Sequence, residues 1–335
     1  MTEWNNKLEK KILFKSRFTL TLKIARILII FFIIYGIWSS VIYLIVDLKN
    51  YAKENQYFTQ LAVEWQMPNV KGNQVHMIND EKISRMGTQT FSYSLLKRVG
   101  HEDIVIGETE VTKKLLSNLS KVEHSIPNQH PNKRLHFSLP EDPRNNQKLT
   151  GNADSNVWET LEMLPEGTVG ELAFSTKSFM DATQLLDLVE DYNIDVLWMP
   201  LYTGELVDYE VGYTSSDDLI IINGIIGLTG GFIASDDYMS MSSIEIISSE
   251  SVAKSEQMML SNMEKLLAKK ENYYQDLLGF YHLPEKYKYI KEKGFTVYGA
   301  VVTGPVKELL KLQDATFVQG EQLGEVELWN WDLSR

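Results

Sequence analysis

The chain has 335 residues, with 33 Lys and Arg against 45 Asp and Glu, a formal net charge of −12, and no cysteine. The missing cysteine excludes disulfide staples, thiolate metal sites and cysteine nucleophiles. The acidic balance argues against nucleic acid as a partner, because phosphates are repelled.

The first 26 residues depart from that balance. They carry Lys7, Lys10, Lys11, Lys15, Arg17, Lys23 and Arg26 against Glu3 and Glu9, a net of +5, which leaves −17 on residues 27–335. Trp4, Leu8 and Ile12 recur at helical spacing, followed by Leu13, Phe14 and Phe18. The tail reads as a basic amphipathic helix, suited to anionic membrane lipid or to a cytoplasmic protein partner. Lys10, Lys11, Phe14, Lys15 and Phe18 are its candidate contact residues.

Ile27 to Val46 is a run of twenty residues without a charge, and fourteen of them are Ile, Leu, Phe or Val. As a helix it is about 30 Å long, the thickness of a bilayer's hydrocarbon core. Those fourteen side chains favour insertion by about 6 kcal/mol. Lys and Arg stay on the cytoplasmic side, so the expected protein is single-pass, with its amino terminus cytoplasmic and its bulk extracytoplasmic. A cleaved signal peptide fits less well. Its apolar region would be shorter, and no small-x-small site follows closely. An exported region without cysteine suits a bacterium with one membrane.

Past the span, Leu48 to Trp65 reads as a helix that stops before Pro68. Strand patterns then run to about Leu139: Phe91, Tyr93 and Leu95 alternate, as do Ile104 with Ile106 and Leu135 with Phe137 and Leu139. Glu141 to Ala153 is rich in Asp, Asn, Pro and Gly and reads as a loop or linker. The resulting division is a cytoplasmic tail at 1–26, a span at 27–46, an amino-terminal extracytoplasmic region at 47–150 and a carboxy-terminal one at 151–335.

The last region begins with a strand at Thr168–Ser175 and an amphipathic helix at Phe179–Tyr192. A buried strand at Ile194–Leu201 follows. Leu219–Phe232 is apolar but contains Gly224, Gly227, Gly230 and Gly231, so a strand with a Gly-rich turn is expected rather than a second span. Val252–Leu278 is the longest soluble helix expected. A shorter helix follows Pro284. A strand at Phe295–Val302, a helix at Pro305–Leu312 and strands near Thr316–Val318 and Glu325–Trp329 close the chain. Strands and helices mix without a regular βα repeat, which gives an α+β class.

Chemical motifs are scarce. There is no Walker loop, no G-x-S-x-G elbow and no H-E-x-x-H helix. His124, His130 and His136 recur every six residues in a Pro- and Asn-containing segment, without a fixed carboxylate partner, so exposed histidines are the default. Asp217–Asp218 and Asp236–Asp237 flank the Gly-rich segment as turn residues. No catalytic residue, metal or cofactor is assigned.

Four segments carry a resemblance. They are Leu164-Pro-Glu-Gly-Thr-Val169 with Glu171 beginning a strand, Asp195-Val-Leu-Trp198, Val297-Tyr-Gly-Ala-Val-Val-Thr-Gly-Pro305, and Gly324-Glu-Val-Glu-Leu-Trp-Asn-Trp331. In this order and spacing they resemble the sigma factor regulator family of Gram-positive bacteria, and the amino-terminal half, with Met67-Pro-Asn-Val70, resembles its companion domain. The resemblance implies a membrane-anchored regulator, of the anti-sigma factor type, for an extracytoplasmic-function sigma factor. It implies a protein that senses an envelope cue and acts by binding rather than by catalysis. Such proteins often carry a longer cytoplasmic region that holds the sigma factor. Here the expectation is either that residues 1–26 bind it or that a small cytoplasmic anti-sigma partner supplies the contact. Trp198, Tyr298, Thr303, Gly304, Trp329 and Trp331 are candidates for architecture or for an extracytoplasmic ligand. Two further readings stand beside this one: a ligand- or wall-binding module merely tethered by the span, and an envelope hydrolase with dispersed carboxylates.

Overall fold

The structure is a computed structural model that describes residues 6–48, 51–73, 79–115, 120–127, 135–151, 156–216 and 218–331. Trp4, His130 and Asp217 lie outside the described residues.

The chain opens with one unbroken helix, α1 (Asn6–Leu48), of 43 residues. It is about 65 Å long at 1.5 Å per residue. Thr19, Thr21 and Ser40 donate their hydroxyls to the carbonyls of Lys15, Arg17 and Gly36, so polar groups are satisfied within the helix itself. Its apolar side chains are exposed nearly all round, which is what a helix in lipid requires. By length and composition Leu8–Ile45 is a candidate membrane span. The expected amphipathic tail is helical but continues the span without a turn. A tail lying flat on lipid would need a bend that this helix does not have.

The helix α2 (Tyr51–Gln66) precedes a five-stranded antiparallel sheet made of β1 (Val70–Gly72), β2 (Asn79–Ile83), β3 (Thr88–Val99), β4 (Glu102–Lys114) and β5 (Lys121–Ser125). The order is β1-β3-β4-β5, and β2 pairs with the start of β3. Phe91, Tyr93 and Leu95 point inward as their alternation requires, packing with Val63, Val70 and Val111.

A small hairpin of β6 (Glu141–Asp142) and β7 (Gln147–Lys148) leads to α3 (Val157–Met163), β8 (Thr168–Asp181), α4 (Ala182–Val189) and β9 (Asp195–Tyr202). Next come β10 (Tyr213–Ser216), β11 (Leu219–Ile222), β12 (Gly227–Thr229), β13 (Phe232–Ala234), β14 (Met241–Ser243) and α5 (Val252–Leu267). A π-helical turn at Tyr273–Leu277, α6 (Leu283–Lys293), β15 (Thr296–Pro305), α7 (Val306–Leu310) and β16 (Val318–Leu328) finish the fold. The second five-stranded sheet, β12-β9-β15-β8-β16, is antiparallel throughout. Every residue of β9 is buried.

Several boundaries move from their expected places, each for a local reason. Phe137 and Leu139 are buried but form no strand of the first sheet. They pack on Ala173, Trp198, Tyr298 and Val301 of the second. Phe179 lies within β8 rather than starting a helix, because Asp181 and Gln184 form a reciprocal capping box that starts α4 at Ala182. The helix from Val252 stops at Leu267, where the Ala268 and Lys269 amides turn back to Glu264 and Leu266. Pro305 is the residue before α7, not its first, and β15 runs through it. The last two expected strands are parts of β16, which breaks register against β8 between Gln319 and Gln322 and again between Leu323 and Val326.

Helix α2 serves the cores of both sheets, with Val63 packing among Phe91, Tyr93 and Leu95 of the first. Tyr57, Phe58, Leu61 and Trp65 pack with Leu172, Phe174, Met199, Leu201, Met259 and Phe280. Each such side chain contributes about 1.5–3 kcal/mol by leaving water. The Tyr57 hydroxyl bonds Asn262 at 2.5 Å, and the Tyr273 hydroxyl donates to Asn55 at 3.1 Å. Asn55 in turn donates to Gln89 of β3 at 2.8 Å, so α2 is gripped from both sides.

Glu171 of β8 fastens the sheets directly. Its fully buried carboxylate accepts from Asn69 Nδ2 at 2.7 Å, from Lys97 Nζ at 2.7 Å and from the Glu325 amide at 3.1 Å. A Cβ on Gly324 would lie 1.9 Å from Glu171 Oε2, so glycine is required beside the carboxylate. Removing one partner of a buried pair strands the other, so Glu171→Ala is expected to cost roughly 2–4 kcal/mol. Denaturant unfolding of the full chain in detergent checks this. A loss within a few tenths of the unaltered chain's stability would contradict the latch.

Candidate functional site

The β3–β4 turn projects from the first sheet into a clamp built by the second. Gly100 in this turn has φ of 65°, and a Cβ there would sit 1.8 Å from Asn330 Oδ1. The Gly100 amide donates to Thr303 Oγ1 at 2.6 Å, and that hydroxyl donates to the Gly170 carbonyl at 2.9 Å. Asn330 completes the grip. Its Oδ1 accepts from the His101 amide at 3.1 Å, and its Nδ2 donates to the Val99 carbonyl at 2.9 Å. Trp331 is buried, stacks on His101 with ring centroids 4.1 Å apart, and packs with Val99 and Val169. His101 Nε2 lies 3.5 Å from Asp195 Oδ2.

The structure gathers Thr303 and Trp331 at this clamp and places the other sequence candidates elsewhere. Trp198 is fully buried, and its indole N–H donates to the Glu64 carbonyl of α2 at 3.1 Å. Gly227 faces that ring so closely that a Cβ would be 2.0 Å from it. Tyr298 is buried beside Phe179, and burial raises its hydroxyl pKa well above the ordinary range. Gly304 allows the Asn193–Ile194 backbone to approach β15, since a Cβ there would be 3.0 Å from the Asn193 carbonyl oxygen. Trp329 is 44% exposed and borders a separate cleft with Leu164, Pro165 and Lys307. Lys10, Lys11, Phe14, Lys15 and Phe18 lie on α1, where Phe14 and Phe18 stack 6.4 Å apart.

The sequence alone gave Lys97 and Gly100 no part, named Asn69 and Asn330 only as members of motifs, and used Glu171 only as a strand start. One signal was present: a lone carboxylate within the otherwise apolar or small Val169–Phe174 run needs a buried partner. Of the histidines, His124 Nδ1 lies 2.9 Å from Thr109 Oγ1, and burial lowers its pKa. The His136 amide donates to Gln322 at 3.0 Å. Among the described residues no group of three or more His, Asp or Glu is placed to hold a metal.

A cavity of about 410 Å³ opens between the sheets. Its walls are Gln60 and Glu64 of α2, Val70 to Asn73, Leu96 and Arg98 of β3, Asp103 of β4, Leu197 and Trp198 of β9, and the Thr229–Phe232 and Ile244–Glu245 segments. Lys71 pairs with Asp103 at 2.8 Å, and Arg98 pairs with Glu245. Burial raises the Glu64 carboxyl to about 7, against the lowering influence of Lys71 and a Thr229 hydrogen bond.

Comparison with known proteins bears on both sheets. Residues 161–325 match the family described as Sigma factor regulator C-terminal, and residues 10–104 match Sigma factor regulator N-terminal. The Probable anti-sigma-M factor YhdL of Bacillus subtilis (strain 168) is 25% identical over 274 residues, covering 81% of this chain and 68% of that protein. No solved structure matches the chain.

Glu64 sets a pH dependence with a definite sign. Its carboxyl titrates at about 7 in the fold against 4.5 ordinarily, so the folded chain holds the extra proton between those values. Stability is therefore full below the lower value and falls as pH rises through the upper one. Glu64→Gln should match the unaltered chain near pH ~4 and exceed it by roughly 1–3 kcal/mol near pH ~8.5. Thermal melts of both proteins across that range test this, and parallel curves would show that Glu64 is solvated.

Proposed function

We propose that this chain, which belongs to the sigma factor regulator family, is a membrane-anchored anti-sigma factor that holds a sigma factor inactive by binding it at the membrane. The observation that carries this is the pairing of both family regions with one helix of membrane length at the amino-terminal end. The similarity to an anti-sigma-M factor supports the same reading.

The tail is cytoplasmic and the two sheets are extracytoplasmic in this account, as the basic and acidic halves of the chain favour. Lys10, Lys11, Phe14, Lys15 and Phe18 present a basic surface with an exposed aromatic pair, fit for an acidic, apolar groove on a sigma factor or on a small anti-sigma partner. Anionic lipid headgroups meet the tail only where the straight α1 leaves the bilayer. An envelope cue acts on the sheets and reaches the tail through α2 and α1.

The joint between span and sheets is visible at Ile42, which is 3% exposed. The Ser84–Gly87 turn packs on it, with a Gly87 Cβ position 3.5 Å from Ile42 Cγ2 and 3.0 Å from Leu115 Cβ. Ile42 lies within the uncharged run, so this turn sits at lipid-interface depth, with Ile83 and Met86 exposed beside it.

Two outcomes follow. Reversing Lys10 and Lys11 to Glu together with Phe14→Ala should lower sigma factor recovery with the purified chain by about tenfold or more. Undiminished recovery would remove the tail from the mechanism. The chain has no native cysteine, so Met86→Cys can carry a single polarity-sensitive dye. In nanodiscs its emission should shift to the blue relative to a label at Asp314→Cys, and a water-like spectrum at both would place the turn away from the bilayer.

A further inference from the structure

One end of the first sheet lies against the candidate span. The β2–β3 turn at Ser84–Gly87 packs on Ile42, and Leu115, just past β4, packs beside it and donates its amide to the Gly87 carbonyl. Residues 82–88 and 112–121 flank this point. They hold Lys82, Arg85, Lys113, Lys114 and Lys121 without one acidic residue, in a part of the chain that is otherwise strongly acidic. Asp80 and Glu81 come next along β2, away from the turn.

Strand register sorts these charges. Lys82, Thr90, Thr112 and Lys121 stand in one row across β2, β3, β4 and β5, and Thr88 with Lys114 forms the next row toward the turn. Residues in register share a face, as do residues two apart on one strand. Both rows therefore lie on the face opposite Gln89, Phe91, Tyr93 and Leu95, which turn toward α2. Lys113 is on the α2 side, over the Tyr273 ring. Farther from the turn the same face changes sign. Glu110 stands between Ser92 and Glu123, and Glu108 follows between Ser94 and Ser125. Two residues of strand span about 7 Å, so a basic band gives way to an acidic one within that distance. Lys82 and Arg85 are exposed, and neither they nor Lys114 form an ion pair among the described residues. The Lys121–Glu123 pair, at 2.5 Å, is exposed and therefore weak.

We propose that this basic band docks on anionic phospholipid headgroups of the bilayer that α1 crosses, with Arg85 and Lys114 nearest the surface and Lys82 and Lys121 behind them. The occupant follows from position and charge. The band adjoins a residue of the span, so the bilayer surface is its nearest neighbour. Thr90 is three residues from Gly87, which puts the farther row at most about 10 Å from the turn. That is close to the Debye length of about 8 Å at physiological salt, so all four charges feel the headgroups. The change of sign along the face lets one end of the sheet touch an anionic surface while the rest is repelled from it. The band thereby fixes which edge of the sheet faces the lipid. The proposal rests on the reading of α1 as a span. It requires no sigma factor and holds for either side of the membrane.

The test places a single dye at Thr112→Cys, inside the basic band, on the full-length chain in nanodiscs that contain a headgroup-nitroxide phosphatidylcholine as quencher. Discs of phosphatidylcholine alone are compared with discs in which about a third of the lipid is phosphatidylglycerol. Quenching should rise roughly twofold in the anionic discs. It should fall back at about 1 M salt, where the Debye length shrinks to about 3 Å. The combined variant Lys82→Gln, Arg85→Gln and Lys114→Gln should lose the rise. The comparison of lipids and of salt uses these side chains unaltered, so it stands even if the variant folds poorly. Equal quenching in both kinds of disc would overturn the proposal, as would a rise that persists at high salt or in a folded Gln variant. A second dye at Met86→Cys separates this failure from that of the anchoring. Quenching at Met86 without a lipid-dependent rise at Thr112 would overturn the docking alone, and no quenching at either position would overturn both.

Discussion

Glu171 is a carboxylate with no contact with water, placed where two sheets meet, and it is stable there because three donors converge on it. Asn69 comes from the turn between α2 and β1, Lys97 from β3 and the Glu325 amide from β16. A buried charge without such partners would cost several kcal/mol. The sheets must therefore keep this relation, and other features conform to it. Gly324 leaves room for the carboxylate, and the Thr303–Asn330 clamp fixes the β3–β4 turn nearby. The cavity between the sheets is the space that remains once they are fastened at one side.

This arrangement makes α2 the natural route for a signal. It follows α1, supplies Val63 to the core of the first sheet and Tyr57, Phe58, Leu61 and Trp65 to that of the second, and contributes Glu64 to the cavity wall. Its neighbour α1 is continuous from the basic tail through the candidate span. Close-packed elements shift between discrete arrangements rather than deforming smoothly, so the proposed signal would reach α1 as a shift of α2. An anti-sigma factor requires such a link between the side that senses and the side that binds.

Much of the fold was legible because its patterns are local. Twenty uncharged residues announce a span, alternation at Phe91, Tyr93 and Leu95 announces a strand, and the apolar run at Ile194–Leu201 falls on β9, which is buried along its length. Phe137 and Leu139 misled for the opposite reason: their alternation reflects burial against a distant sheet, and an amino-acid pattern does not name its partner. The junction was harder to read. Thr303 and Trp331 were singled out with the motifs that contained them, whereas Gly100, Asn69 and Lys97 acquire a role only when β3 meets β8 and β15 across long sequence separations. The resemblance marked Glu171, Gly324 and Asn330 as members of motifs, and only the packing explains why those residue types stand there.

The claim at the centre of this account is that the junction of the sheets governs what the tail holds on the other side of the membrane. The most direct measurement is the fraction of sigma factor retained on membranes in cells carrying either the unaltered chain or Asn330→Ala, compared at equal amounts of anchored protein. Asn330 is at the clamp, far in sequence from the tail, and its loss loosens the β3–β4 turn without touching residues 1–26. The account predicts a clear change in retention. Equal retention by both proteins, with the tail still required for binding, would contradict it and leave the two sheets without a part in controlling the sigma factor.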